Sequence, residues 1–129
     1  MPMLKDYPMI TTLPATNIER AKKFYGEVLG LKQVETEMPE DAVMFEAGAG
    51  TKVYLYKRGA SRADHTALEF HVTNLEKEME DLKAKGVVFE EYDMPGLKTE
   101  NSIAKMGNYK SAWFKDTEGN ILALGEEIK

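Results

Sequence analysis

TNIERAKKFYGEVLGL, residues 16–31, and TNLEKEMEDLKAKGVV, residues 73–88, decide the fold of this chain. Each opens on Thr-Asn-aliphatic-Glu. That is the pattern of a capping box, in which a Thr hydroxyl and the Glu three residues on satisfy free N–H groups in a helix's first turn. Thr16 and Thr73 are then the N-caps, answered by Glu19 and Glu76. Behind the first cap, apolar residues recur at Ile18, Ala21, Phe24, Tyr25 and Val28, and behind the second at Leu75, Met79 and Leu82. Both spacings gather the apolar side chains on one helical face. Gly30 and Gly86 stand where each helix should stop, in the left-handed position that suits glycine.

The duplication extends outward from the helices. A strand-like run precedes each one, PMITTLPA (8–15) and HTALEFHV (65–72). LKQVETE (31–37), DAVMFEA (41–47) and GTKVYLYK (50–57) follow the first; VVFEEYD (87–93), KSAWFKD (110–116) and GNILALGE (119–126) follow the second. Gly50 and Gly119 open the last strand of each half. The chain therefore reads β-α-β-β-β twice, an α+β fold in one domain spanning 1–129. Module 1 covers about 8–57, RGASRAD (58–64) links, and module 2 covers about 65–126. Halves of roughly 60 residues bury too little surface to be stable alone, so the two should pack together.

The totals restrict function. Seventeen basic against 22 acidic residues give a net charge of −5, the wrong sign for neutralising nucleic-acid phosphates. The absence of cysteine removes disulfides, thiolate metal sites and cysteine nucleophiles. MPMLKDYP at the N-terminus lacks the apolar core of a signal peptide, and no run reaches membrane-spanning length. A cytoplasmic protein with no membrane partner is expected.

The paired modules, with NIERAKKFYGEVLGLK (17–32) and WFKDTEGNILAL (113–124), resemble the vicinal-oxygen-chelate superfamily. That superfamily holds glyoxalase I, extradiol dioxygenases, fosfomycin-resistance enzymes and bleomycin-binding resistance proteins. The resemblance spans residues 8–126 and implies curled mixed sheets around a shared cavity, with the helices outside. It also implies a homodimer and a small-molecule ligand.

Strand side chains alternate, so His65, Ala67, Glu69 and His71 should share one face of HTALEFHV. Thr66, Leu68, Phe70 and Val72, mostly apolar, should pack under the helices on the other. His65 and His71 are roughly 20 Å apart along such a strand and cannot share an ion, whereas Glu69 and His71, roughly 7 Å apart, could chelate one together. Metal-dependent members of the superfamily carry ligands on the first and last strand of each half, which the resemblance maps to Ile10, Tyr54, Ala67 and Ala123. Three of these have no donor atom. No metal cofactor is therefore expected. The alternative is an irregular site for Ni, Zn, Fe or Mn drawn from His65, Glu69, His71 and Tyr54.

The expected cavity lining is Ile10, Thr12, Tyr54, Tyr56, Ala67, Glu69 and Ala123, with Ser111 and Trp113 added by the resemblance. This is an apolar surface with a few polar handles, as small-molecule sites usually are. YDMPGLKTENSIAKMGNYK (92–110) is a long connection of the kind that forms lids or mobile loops. Tyr92, Met94, Leu97, Ile103 and Met106 could close over a ligand, and Lys98 and Lys105 could attract an anion. AGAGT (47–51) lacks the helix of a phosphate loop and reads as a hairpin turn, and GEEIK (125–129) as a solvated tail.

Three functions remain open. One is a metal-free protein binding a small amphipathic or aromatic molecule. Another is a metal-dependent lyase, isomerase or dioxygenase of the glyoxalase kind. The third is a metal-free enzyme with Glu69 or His71 as general base.

Overall fold

A computed structural model describes residues 3–34 and 39–128. The chain divides into two units, Met1–Ser61 and Arg62–Lys129, with the boundary inside the expected linker. No helix among the described residues is long and apolar enough to cross a membrane.

Unit 1 contains β1 (Ile10–Ala15), α1 (Ile18–Lys23), a π turn over Phe24–Val28, β2 (Lys32–Gln33), β3 (Ala42–Glu46) and β4 (Lys52–Lys57). The sheet order is β1-β4-β3-β2, with β1 parallel to β4 and the other pairs antiparallel. Alternation places Leu13, Val43, Phe45, Val53 and Leu55 on one face, all buried together with Ile18, Ala21, Phe24 and Tyr25. The Tyr25 and Phe45 rings stack with centroids 6.0 Å apart. Of the expected strand LKQVETE, Lys32–Gln33 pairs with β3 and the Val34 N–H donates to the Met44 carbonyl at 2.8 Å; its residues 35–37 lie outside the described residues.

Unit 2 contains β5 (Thr66–His71), α2 (Leu75–Ala84), the short strands β6 (Asp93–Met94), β7 (Leu97–Lys98) and β8 (Ala104–Met106), then β9 (Tyr109–Lys115) and β10 (Ile121–Glu127). Its main sheet runs β5-β10-β9-β8, the same order as in unit 1. Leu68, Phe70, Ala112, Phe114, Leu122 and Leu124 share one face by register. Leu68 and Phe70 are half-buried, while Ala112, Phe114, Leu122 and Leu124 are buried together with Leu75, Met79 and Leu82 of α2.

Several expectations need correction. The caps are Asn17 and Asn74, one residue beyond each Thr; their side chains accept from the N–H groups of Arg20 and Lys77 at 3.0 and 3.2 Å. Both asparagines have extended backbones, the geometry an N-cap requires, and an Asn carbonyl replaces the Thr hydroxyl. Gly30 and Gly86 do adopt left-handed φ of 74° and 95°.

VVFEEYD is not a strand. It touches the β9 edge at the bridge Phe89–Phe114 and through the Glu90 N–H to the Trp113 carbonyl, then leaves the sheet. The strand completing the sheet is β8, taken from inside the long connection. Residues 91–103 thus interrupt one edge element rather than hang free. GEEIK is not a tail either. Gly125–Glu127 completes β10, and the Glu126 carboxylate accepts the first N–H of α2, from Leu75, at 2.7 Å.

The DTEGN turn fixes the hairpin between β9 and β10. Asp116 Oδ1 accepts from the N–H groups of Glu118 and Asn120, and Oδ2 from the Asn120 side chain, each at 2.8 Å. All three residues are buried, so water cannot replace the carboxylate. Asp116→Ala should lower unfolding free energy by about 2–3 kcal/mol, because buried donors lose their acceptor. Urea denaturation measures this, and a change under about 0.5 kcal/mol, the ordinary range of a surface substitution, would contradict the turn's role.

Candidate functional site

In unit 1 the sheet face away from α1 carries Thr12, Tyr54 and Tyr56, as the alternation requires. Thr12 pairs with Tyr54 across the parallel strands, and the Tyr54 and Tyr56 rings stack 6.0 Å apart. Ile10 sits opposite Lys52 and is 46% exposed.

In unit 2 the corresponding face is built on β10. Ala123 pairs with Trp113 on β9 and Glu69 on β5; Gly125 pairs with Ser111 and His71. Glu69, His71, Ser111, Trp113 and Ala123 therefore do share a face. Ala67 and His65 do not join them. The register slips between Ile121, opposite Thr66, and Leu122, opposite Leu68, so Ala67 is the extra residue of a β-bulge. Thr66 takes the Trp113 side and accepts from the indole N–H at 2.9 Å. His65 precedes the strand, 3.8 Å from the Asp64 carboxylate, with its side chain 74% exposed.

Trp113, Ile121, Ala123 and Ala104 form one apolar cluster, against which Tyr92 and Leu97 of the insert pack. Tyr92 meets the indole edge-on at 5.5 Å. Met94 and Met106 are exposed instead. Ile103 lines a groove with Met79 on the α2 side, where Lys98 and Lys105 also lie. The insert is held folded by Glu91, whose carboxylate accepts from the Thr99 hydroxyl at 2.6 Å and the Ser102 N–H at 2.9 Å. Of the two readings left open, lid or mobile loop, the insert takes neither loose form: it is a structured hairpin lying on Trp113.

Four residues along β9 from Trp113, Tyr109 reaches back over Gly125. Its hydroxyl donates to Glu69 Oε2 at 3.1 Å and lies 3.1 Å from His71 Nε2, itself 3.0 Å from the same carboxylate oxygen. A Cβ on Gly125 would come within 2.7 Å of the Tyr109 ring and 2.8 Å of the carboxylate, so only glycine admits this crossing. Partial burial, and then the carboxylates of Glu69 and Glu127, hold the Tyr109 phenol above its usual ionisation range. Tyr109 and Gly125 were missed in the sequence; extending the Trp113 alternation two steps back would have found the tyrosine.

The donor set does not fit the metal centre implied by the superfamily. Ile10, Ala67 and Ala123 are aliphatic, and Tyr54 is committed to ring packing. Among the described residues no group of three or more His, Asp or Glu side chains converges on a common point. Glu69 and His71 form only a pair, joined by a phenol that resists deprotonation.

A family model matches residues 9–124, described as the Glyoxalase/Bleomycin resistance protein/Dioxygenase superfamily. The chain belongs to that superfamily. TnmS3, an antibiotic binding protein from Streptomyces sp. CB03234, superposes with a TM-score of 0.74 at 19% identity, covering 98% of this chain and 99% of its own. A lactoylglutathione lyase from Agrobacterium tumefaciens gives 0.69 at 22% identity, with 93% and 92% covered. A mutant of the fosfomycin resistance protein FosX from Listeria monocytogenes, complexed with Mn(II) and a dihydroxypropylphosphonic acid, gives 0.69 at 16%, with 95% and 90% covered. At these identities the likeness is one of fold. No curated protein matches the sequence.

The Glu91 clasp should make the insert pH-dependent. Its hydrogen bond from Thr99, reinforced by the Ser102 N–H, holds the carboxyl below the ordinary 4.5. A depressed acid stabilises the fold above its unfolded value and loses that contribution as pH falls through the folded one. Acidification below 4.5 should therefore loosen the insert and red-shift Trp113 emission before the chain unfolds. Glu91→Ala should show that shift already at neutral pH; an emission maximum indifferent to both changes would contradict the clasp.

Proposed function

We propose that this superfamily member binds a small amphipathic or aromatic molecule, without a metal, on the sheet face that carries Trp113. One observation carries the reading: aliphatic Ala123, at a position that the resemblance assigns to a metal ligand, has the tryptophan Trp113 beside it in the register. A flat indole with Ile121, Ala123 and the insert's Tyr92 and Leu97 offers stacking and apolar burial. Thr66, Ser111 and Glu69 at its borders provide hydrogen-bonding groups that would orient a guest. The unit 1 residues Thr12, Tyr54 and Tyr56 offer the same mixture of ring surface and hydroxyls.

Members of the superfamily typically bind small molecules and are often dimers, and TnmS3 is an antibiotic binding protein. These support a homodimer whose task is sequestration or transfer of its ligand; the cytoplasmic location proposed with it rests on the sequence reading. The insert lies on Trp113, so a guest must displace Tyr92 and Leu97 or bind alongside them.

The chain has a single tryptophan, which makes the test direct. Titration with a panel of aromatic compounds in the presence of a chelator should quench or shift Trp113 emission saturably for at least one of them. Calorimetry on Trp113→Leu should show that compound's affinity falling about tenfold, the equivalent of a lost stacking contact of roughly 1.4 kcal/mol. Binding or turnover that appears only after a divalent metal is supplied would reject this reading in favour of a metal-dependent lyase or dioxygenase.

A further inference from the structure

The crossing over Gly125 does more than close the face. Glu69 Oε2 is an acceptor only, and it is approached by both the Tyr109 hydroxyl and His71 Nε2. The carboxylate therefore favours the imidazole form that carries its proton on Nε2, leaving the Nδ1 lone pair free. No hydrogen bond to Nδ1 occurs among the described residues, and the His71 side chain is 74% exposed. The ring borders a groove of about 580 Å³, shared with Thr73, Tyr109, Gly125 and Glu127. An imidazole oriented by a carboxylate and open to a groove is the arrangement that general bases use.

We propose that His71 is a general base, held in one tautomer by the positioning residues Glu69 and Tyr109. Its substrate class is a neutral carbon acid small enough for the groove. Glu69 contacts the ring and Glu127 lines the same groove, and their charges disfavour anions; Lys110 on the neighbouring strand is engaged by Glu76 at 2.9 Å and Glu126 at 3.7 Å. The Nδ1 lone pair takes the proton from carbon, the C–H electron pair forms a new π bond as the adjacent bond to a heteroatom leaving group breaks, and the imidazolium returns the proton to water. No metal, oxidant or second reactant enters. This activity goes beyond ligand binding at Trp113 and does not depend on it.

The probe is a nitrobenzisoxazole, on which a single base completes the reaction. The base removes the ring C–H proton, its electron pair forms the nitrile, the N–O bond breaks, and the oxygen leaves as a coloured phenolate. The wild-type protein should give a saturable rate above that of free imidazole. His71→Ala should lose roughly 100-fold of it, the scale of a positioned base, while His65→Ala keeps it. Tyr109→Phe and Glu69→Gln should give smaller losses and, by imidazole nitrogen NMR, a mixed tautomer at His71 where the wild type shows one. Glu69→Asp, which keeps the charge, should restore part of both.

No rate above free imidazole, a His71→Ala loss under threefold, or an equal loss in His65→Ala would overturn the proposal. So would a wild-type His71 whose tautomers are as mixed as those of His65. These failures leave the Trp113 fluorescence titration unaffected, so the two readings fall separately.

Discussion

The buried carboxylate of Asp116 sets the register on which the rest of unit 2 depends. By collecting three donors of the turn at 2.8 Å each, it fixes where β9 folds back on β10, and every later pairing follows. Trp113 meets Ala123, and Ser111 meets Gly125. A slip of one residue would move each side chain to the opposite face, placing Phe114 where the indole lies and the indole under α2. A short polar motif at a hairpin tip thus decides which aromatic residue lies on which surface.

On that register, the small residues of β10 let the flanking strands reach over it. Trp113 on β9 hydrogen-bonds to Thr66 on β5 across one end, and Tyr109 on β9 to Glu69 on β5 across the other. Neither strap would close over bulky β10 side chains, and at Gly125 even a methyl group collides. The bulge at Ala67 is what turns Thr66 toward the indole. The small residues Ala123 and Gly125 therefore leave a face with Trp113 at one end and Glu69, His71 and Tyr109 at the other.

The fold was legible in the sequence because it was written twice. Two helix signatures with the same opening and glycine stop, each framed by strands, leave few alternatives, and the shared sheet order of the two units agrees with them. Local alternation also identified Thr12, Tyr54, Tyr56, Glu69, His71 and, with the resemblance, Ser111, Trp113 and Ala123 as one set of faces. What failed was local geometry that patterns of residue type do not encode. Thr and Asn both cap helices, so the pair Thr-Asn leaves the cap ambiguous by one residue. A bulge at an alanine has no sequence mark, and it removed Ala67 and His65 from the face. Glu126 in an apparently charged tail caps a helix some fifty residues earlier in the chain, a pairing that only the folded sheet creates.

On the proposed function, this superfamily member would hold its ligand on an aromatic, donor-poor surface in place of a metal centre. Metal content by elemental mass spectrometry on untagged protein tests it most directly, alongside thermal unfolding with added Ni(II), Zn(II), Mn(II) or Fe(II). A metal-free protein should carry a substoichiometric trace of metal and keep an unfolding temperature unchanged by any of the four ions. Near-stoichiometric metal, or a several-degree stabilisation abolished by His71→Ala, would contradict it and make a metal centre the starting point instead.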